Sequence, residues 1–146
     1  MLEIRTVKSE KKLKKLFNVL SEIFYDNAVE NKEHYYTMSE RYEKMKLQFK
    51  NDKDFLMYIE DNNRIVAGLT GKNLDFEKKK ITIGVLSVRK EYRMNGLARK
   101  LVNEFENRCK KKKIEHIDLG ARFRACNLYK NLNYNYSLMV QVFDFI

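Results

Sequence analysis

Arg93-Met94-Asn95-Gly96-Leu97-Ala98 is the segment whose residue types and spacing point most directly to chemistry. It stands between an apolar run, Ile81 to Val88, and an amphipathic run, Leu97 to Lys112. The pattern Arg-x-x-Gly-x-Ala is therefore predicted to fall where a strand hands over to a helix. The first N–H groups of a helix have no intrahelical partners, and the helix dipole places partial positive charge there. A glycine at the turn lets a phosphate approach the backbone closely. Such a junction is suited to holding a pyrophosphate. An ordinary loop entering a helix, with Gly96 as its turn residue, would carry the same letters, so the flanking elements must decide.

Other reactive side chains are sparse. Cys109 and Cys126 are far apart and form no C-x-x-C pair, and His34 and His116 are isolated. No metal cluster or disulfide framework is expected. Cys109 continues the apolar face of its helix and is expected to be a buried structural thiol. Thirty basic against twenty acidic side chains give a net charge of +10. Such a field attracts anions, whether phosphate-bearing cofactors or nucleic acid. Part of the excess has local causes. Lys110 to Lys113 closes a helix, where cations favour the dipole, and Lys78 to Lys80 follows a turn. Neither run is interleaved with aromatics as in many single-strand binders, so nucleic acid is not the favoured partner.

The chain has 146 residues, 44% of them hydrophobic and 34% charged, enough for one domain over residues 1–146 with a real core. No apolar run is long enough to cross a bilayer. Met1 to Val7 lacks the pattern of a signal peptide, and a reduced, cytoplasmic protein is expected. Proline is absent, so helix ends must come from Gly, Asn and charge clusters.

The elements that must position the motif follow from periodicity. Leu2, Ile4 and Val7 suggest a short first strand, and Ser9 a helix cap. Leu13, Leu16, Phe17, Leu20, Ile23 and Phe24 recur at helical spacing until a polar stretch, Asp26 to Lys32, breaks the pattern. A second helix is predicted from Tyr35 to about Lys50. Phe55 to Ile59 and Ile65 to Leu69 form a hairpin around Asp61-Asn62-Asn63. A longer polar turn, Gly71 to Lys78, leads to the third strand, Ile81 to Val88. The motif helix carries Leu97, Leu101, Val102, Phe105 and Cys109 on one face. Ile114 to Leu119 is a further strand, Ala125 to Leu132 a helix, and Leu138 to Ile146 a last strand.

Within the third strand, Ile81, Ile83 and Val85 alternate on odd positions, but Leu86 and Val88 fall on even ones. A β-bulge between Val85 and Leu86 would produce this slip and free backbone groups for a ligand. A strand buried on both faces would produce it too. Both readings stand at this point.

The order strand, helix, helix, three-strand meander, helix, strand, helix, strand resembles the GCN5-related N-acetyltransferase (GNAT) superfamily. Leu86-Ser87-Val88, Tyr92 and Arg93 to Ala98 are similar to that family's acetyl-CoA motif. His116 to Arg122, then Ala125 and Leu128-Tyr129-Lys130-Asn131-Leu132-Asn133-Tyr134, are similar to its second motif. The resemblance implies an α/β (α+β) fold with a mixed, mostly antiparallel central sheet flanked by helices on both faces. It implies acetyl transfer from acetyl-CoA to a primary amine of a small molecule or peptide, with no metal. Cofactor-binding residues would be Leu86, Ser87, Val88, Arg93, Met94, Asn95, Gly96, Leu97, Ala98 and Arg99. Tyr129 would protonate the departing thiolate. A homodimer is left open.

There are departures. Asn133 replaces a usual Gly, and Arg122 stands where many members have an Asn that contacts the cofactor. The third strand carries no acidic residue, although many members place a general base there. Glu22, Asp26, Glu30 and Glu33 remain as candidate bases. A non-catalytic acyl-CoA-binding module is the first rival that this gap suggests, and a basic nucleic-acid-binding domain the second.

Overall fold

A computed structural model describes residues 2–31 and 39–119, without the side chains of residues 24–31 and 39–40. Strand β1 spans Ile4–Thr6. Ser9 then caps helix α1, Glu10–Asn31: its Oγ accepts the Lys12 N–H at 3.1 Å and its carbonyl accepts that of Leu13 at 2.9 Å. Leu13, Leu16, Leu20 and Ile23 are buried at helical spacing and form the stripe that faces the sheet. The polar stretch from Asp26 does not end the helix as expected, since the backbone stays helical to Asn31. These positions contain neither Gly nor Pro. Loss of apolar periodicity shows where a helix leaves the core, not where its hydrogen bonds stop.

Helix α2 spans Ser39–Asn51, within the predicted second helix; the predicted first residues, Tyr35 to Met38, lie outside the described region. Gln48 is buried and donates from Nε2 to the Asp52 carbonyl at 2.9 Å, closing the helix end. Asp52 accepts the Asp54 N–H and starts a single 3-10 turn, Lys53–Phe55. Phe55 thus belongs to this turn and not to the strand predicted for it. Strand β2 is Leu56–Asp61.

Asn62 and Asn63 both have positive φ, 51° and 62°, as a tight two-residue hairpin requires. Strand β3 is Arg64–Asp75, longer than predicted. The segment read as a polar turn from Gly71 pairs with β4 instead, Gly71 with Ile83 and Lys72 with Thr82. Polarity suggested a loop there, but ladder hydrogen bonds do not depend on side-chain polarity. Strand β4 is Lys80–Val88, helix α3 Leu97–Lys111 and strand β5 His116–Leu119.

Among the described residues, five strands lie in sequence order, with β1 to β4 antiparallel and β5 parallel to β4; the helix expected from Ala125 to Leu132 and the last strand from Leu138 to Ile146 lie outside them. This is the expected mixed, mostly antiparallel sheet. One core lies under α3, where Phe105 meets Phe55 edge-on at 5.5 Å beside Leu101, Ile81 and Ile83. The other joins α1 and α2 to the opposite face through Leu16, Leu20, Met45 and Leu56. Helices therefore cover both faces. Cys109 sits in the α3 core as expected, and burial pushes its thiol up to about 12, so it stays protonated and inert at neutral pH.

The Lys12 ammonium meets Glu60 Oε1 at 2.6 Å and ties α1 to β2. That hydrogen bond, chiefly, holds the Glu60 carboxyl below its ordinary value of 4.5. The folded state therefore prefers the charged form. The resulting stabilisation is complete above that ordinary value and is lost as pH falls below it through the folded value. Glu60→Gln is expected to cost about 0.5–1 kcal/mol at pH 7. The cost should vanish in urea titrations run at a pH below the folded value, and a cost that persists there would assign it to packing.

Candidate functional site

The third strand is bulged, but not at the predicted residue. Thr70 pairs with Val85 and the next residue of β3, Gly71, pairs with Ile83, so β4 carries Gly84 as an extra residue. Ile81, Ile83, Leu86 and Val88 all pack on the α3 side. Val85 packs on the α1 side. The slip thus lies between Ile83 and Val85, one position before the predicted Val85–Leu86 step. Val85 mimicked the earlier alternation only because the other face is also buried at that point.

A bulge takes a backbone group out of the ladder, and a buried N–H needs a partner. Thr70 supplies it: its Oγ1 accepts the Val85 N–H at 3.2 Å, and the residue is 2% exposed. Sequence reasoning missed Thr70, because a threonine in a strand is unremarkable until the opposite strand gains a residue. A Cβ on Gly84 would come within 3.2 Å of Thr70 Oγ1 and 3.3 Å of the Thr70 carbonyl. Glycine suits that position because the space is already filled.

On its other edge β4 pairs with β5. Their register runs from Lys80–His116 to Ile83–Leu119, the last residue of β5. Among the described residues, Leu86, Ser87 and Val88 pair only with β3, through Leu69, Gly68 and Ala67. This is the strand segment expected to offer backbone groups to an extended ligand.

From Val88 the chain turns through a stapled loop. Arg89 N–H bonds the Val66 carbonyl at 2.8 Å, and its Nε bonds the Ile65 carbonyl at 2.9 Å. Lys90–Tyr92 form a single 3-10 turn. The Tyr92 hydroxyl donates to Asp61 Oδ2 at 2.6 Å, and this bond, chiefly, pushes its ionisation above the ordinary value. Arg93 turns back, donating from Nε to the Val88 carbonyl at 3.1 Å. Asn95 donates from Nδ2 to the Tyr92 and Arg93 carbonyls, both at 3.3 Å. Met94 has φ 66° and is fully exposed, and Gly96 has φ 78°. The side chains hold carbonyl oxygens, and the left-handed residues turn the chain into α3.

At that entry the helix has no side-chain cap and no acidic residue in its first turn. The N–H groups of Leu97, Ala98 and Arg99 have no intrahelical acceptor, and the first such bond runs from Lys100 to the Gly96 carbonyl. Among the described residues, a Cβ on Gly96 would meet nothing within 4 Å, so they leave the space above the backbone open there. Open space, unclaimed N–H groups and the dipole suit a phosphate. The predicted cofactor-binding residues thus fall into one continuous path. Leu86 to Val88 form the strand end, Arg93 to Gly96 the loop, and Leu97 to Arg99 the first helical turn. Within it Leu97 is a core side chain and contributes only its backbone.

Tyr129, Arg122 and Asn133 lie outside the described residues, as does Glu33. Of the candidate bases, Glu22 is exposed and pairs with the Arg89 guanidinium at 3.3 Å. Asp26 and Glu30 lie on the last turns of α1. The strand itself offers no carboxylate from Ile81 to Val88.

A family model described as the acetyltransferase (GNAT) family matches residues 13–134. No curated protein sequence matches the chain. Solved structures do. A GNAT-family acetyltransferase from Staphylococcus aureus Mu50 aligns at TM-score 0.70 and 18% identity, covering 91% of this chain and 83% of that one. An aminoglycoside acetyltransferase from an uncultured soil metagenomic sample aligns at TM-score 0.65 and 20% identity, covering 92% of each. The ribosomal-protein-S18-alanine N-acetyltransferase of Escherichia coli aligns at TM-score 0.64 and 16% identity, covering 92% of this chain and 78% of that one. At these identities the likeness is one of fold.

If Thr70 is what satisfies the bulge, Thr70→Val keeps the shape and removes the acceptor. Leaving the Val85 N–H unpaired in the core is expected to cost about 1–3 kcal/mol by chemical denaturation. A loss below about 0.3 kcal/mol would show that the bulge holds without this bond.

Proposed function

The chain belongs to the acetyltransferase (GNAT) family, and on that premise we propose that it moves an acetyl group from acetyl-CoA to a primary amine of a small molecule or peptide. One observation carries the donor assignment: the left-handed, open Gly96 at an uncapped helix start, continuous with the strand end beyond the bulge. The pyrophosphate of the donor fits the backbone N–H groups of Leu97 to Arg99. Its pantetheine arm fits the edge of Leu86 to Val88. The acetyl group then ends near the bulge. One similar structure is named for an alanine of a ribosomal protein and another for aminoglycosides, which supports both peptide and small-molecule acceptors.

The reaction requires three proton and charge movements. The acceptor nitrogen must be neutral before it attacks the thioester carbon. Attack forms a C–N bond and an oxyanion, which backbone N–H groups near the bulge would stabilise. Collapse breaks the C–S bond, and the thiolate gains a proton, for which the family resemblance supplies Tyr129. With no carboxylate on β4 and Glu22 held by Arg89, the acceptor proton leaves through water, or the amine arrives already neutral. None of the described helices is long and apolar enough to cross a membrane, which is compatible with an acceptor taken from solution.

Acetyl-CoA should bind and raise the melting temperature, since a ligand at a hundredfold excess over Kd stabilises the folded state by about 2.7 kcal/mol. Gly96→Glu places bulk and negative charge in the phosphate cradle and should abolish the shift. An unchanged Kd in a folded Gly96→Glu protein would remove the assignment.

The acceptor's own acidity should set the pH profile. For amines of similar shape, kcat/KM should rise with pH until each amine's pKa is passed, because only the neutral form attacks. Weakly basic amines should react well at neutral pH and strongly basic ones poorly. A lower limb with one fixed pKa, whatever the acceptor, would point instead to Glu22, Asp26, Glu30 or Glu33 as base.

A further inference from the structure

Four polar bonds join one hairpin to one turn. The hairpin is the end of β2 with the start of β3, Asp61 to Val66, and the turn is Arg89 to Tyr92. Two of the bonds come from Arg89, its N–H to the Val66 carbonyl at 2.8 Å and its Nε to the Ile65 carbonyl at 2.9 Å. A third pairs Arg64 with Glu91 at 3.1 Å; both side chains are exposed, and a pair of that kind contributes little. The fourth is the Tyr92 hydroxyl on Asp61 Oδ2 at 2.6 Å, between half-buried residues. A hydrogen bond to a carboxylate is roughly twice as strong as a neutral one.

Both ends of that bond are firmly set. Asp61 closes β2, paired with Arg64, directly before the left-handed Asn62-Asn63 turn. The Tyr92 ring packs against the α3 core. Tyr92 is also where the proposed donor loop begins. Its carbonyl accepts from Asn95 Nδ2 at 3.3 Å, and the next residue, Gly96, opens α3. Arg93 closes the loop on Val88 and so fixes its shape. Asp61 lies outside the loop and its motif, and fixes where the loop sits. One path of contacts therefore runs from Asp61 through Tyr92 and Asn95 to the start of α3.

We propose that Asp61 is a positioning residue for the donor: through Tyr92 it presets the loop, so that the N–H groups of Leu97 to Arg99 meet the pyrophosphate without rearrangement. The inference rests on the acetyl-transfer reading above, which puts the pyrophosphate at that helix start. Without the tie the loop would visit other positions, and the observed Kd would rise as the binding-competent fraction falls. Neither side chain has a part in the acetyl-transfer step itself, so the loss falls on acetyl-CoA affinity.

Calorimetric titration with acetyl-CoA tests it. Tyr92→Phe keeps the ring and removes the donor, Asp61→Ala removes the acceptor, and Asp61→Asn keeps an acceptor oxygen. Kd should rise by about three- to tenfold in Tyr92→Phe and in Asp61→Ala. The double variant should bind no more weakly than either single one, because the same bond is lost once. Asp61→Asn should recover most of the affinity. In turnover the change should appear in the KM for acetyl-CoA, with kcat at saturation within about twofold of the parent. If Asp61→Ala fails to fold, Tyr92→Phe and Asp61→Asn carry the comparison. An unchanged acetyl-CoA Kd in Tyr92→Phe, whatever its melting temperature, would overturn the inference and leave acetyl transfer standing. Inorganic pyrophosphate separates the two readings. A parent protein that binds pyrophosphate in a Tyr92-dependent way, but no acetyl-CoA, would keep the positioning role and overturn acetyl transfer. A parent that binds neither would overturn both.

Discussion

One extra residue in β4 organises the site. Gly84 has no partner in β3, so the ladder changes register there and the next N–H must be satisfied from a side chain, Thr70 Oγ1. Everything downstream inherits that shift. Leu86 and Val88 regain the α3 face and Val85 takes the opposite one. A regular strand of the same composition would keep one parity from end to end, and Leu86 and Val88 would then face away from the α3 core. Thr70 is itself buried, so its Oγ1 meets the Val85 N–H out of reach of water.

The turn after β4 solves a different problem, which is to leave a helix start unclaimed without leaving it loose. Most helices satisfy their first N–H groups with a capping side chain. Here Gly96 has none to offer, yet the entry is held from three sides. Tyr92 reaches Asp61 in β2, Arg89 reaches the carbonyl of Ile65 in β3, and Arg93 closes on Val88. All of these bonds consume carbonyl or carboxylate acceptors, so the N–H groups of the first turn stay available. Rigidity and vacancy coexist because donors in the side chains are matched to acceptors in the backbone. Preorganised N–H groups of this kind need no rearrangement when an anion arrives.

How much of this was legible beforehand depended on whether the determinant was local. Ser9 as cap, the Asn62-Asn63 turn and the buried face Leu97, Leu101, Val102, Phe105, Cys109 each follow from residues within a few positions, and all are present. The slip in β4 was visible as a change of parity, but its position was misassigned, because Val85 is apolar for the sake of the other core. The continuation of α1 past Asp26 and of β3 past Gly71 was misread, since both segments are polar and both are held by backbone bonds. Thr70 was invisible for a deeper reason. It acquires its role from the extra residue Gly84, on the neighbouring strand, and only the pairing register brings the two together. The residues proposed for the donor are contiguous in the chain, so a motif could mark them.

The same contrast explains why the two substrates differ in how strongly the chain specifies them. The donor path proposed above consists mainly of main-chain groups, at Leu86 to Val88 and at the start of α3, and main-chain groups are the same in every sequence with this fold. Recognition of an acceptor depends on side chains, which distant sequences need not share. For the phosphate proposed on the donor path, the backbone dipole at the start of α3 matters more than formal charge, since even Arg93 spends its Nε on the Val88 carbonyl.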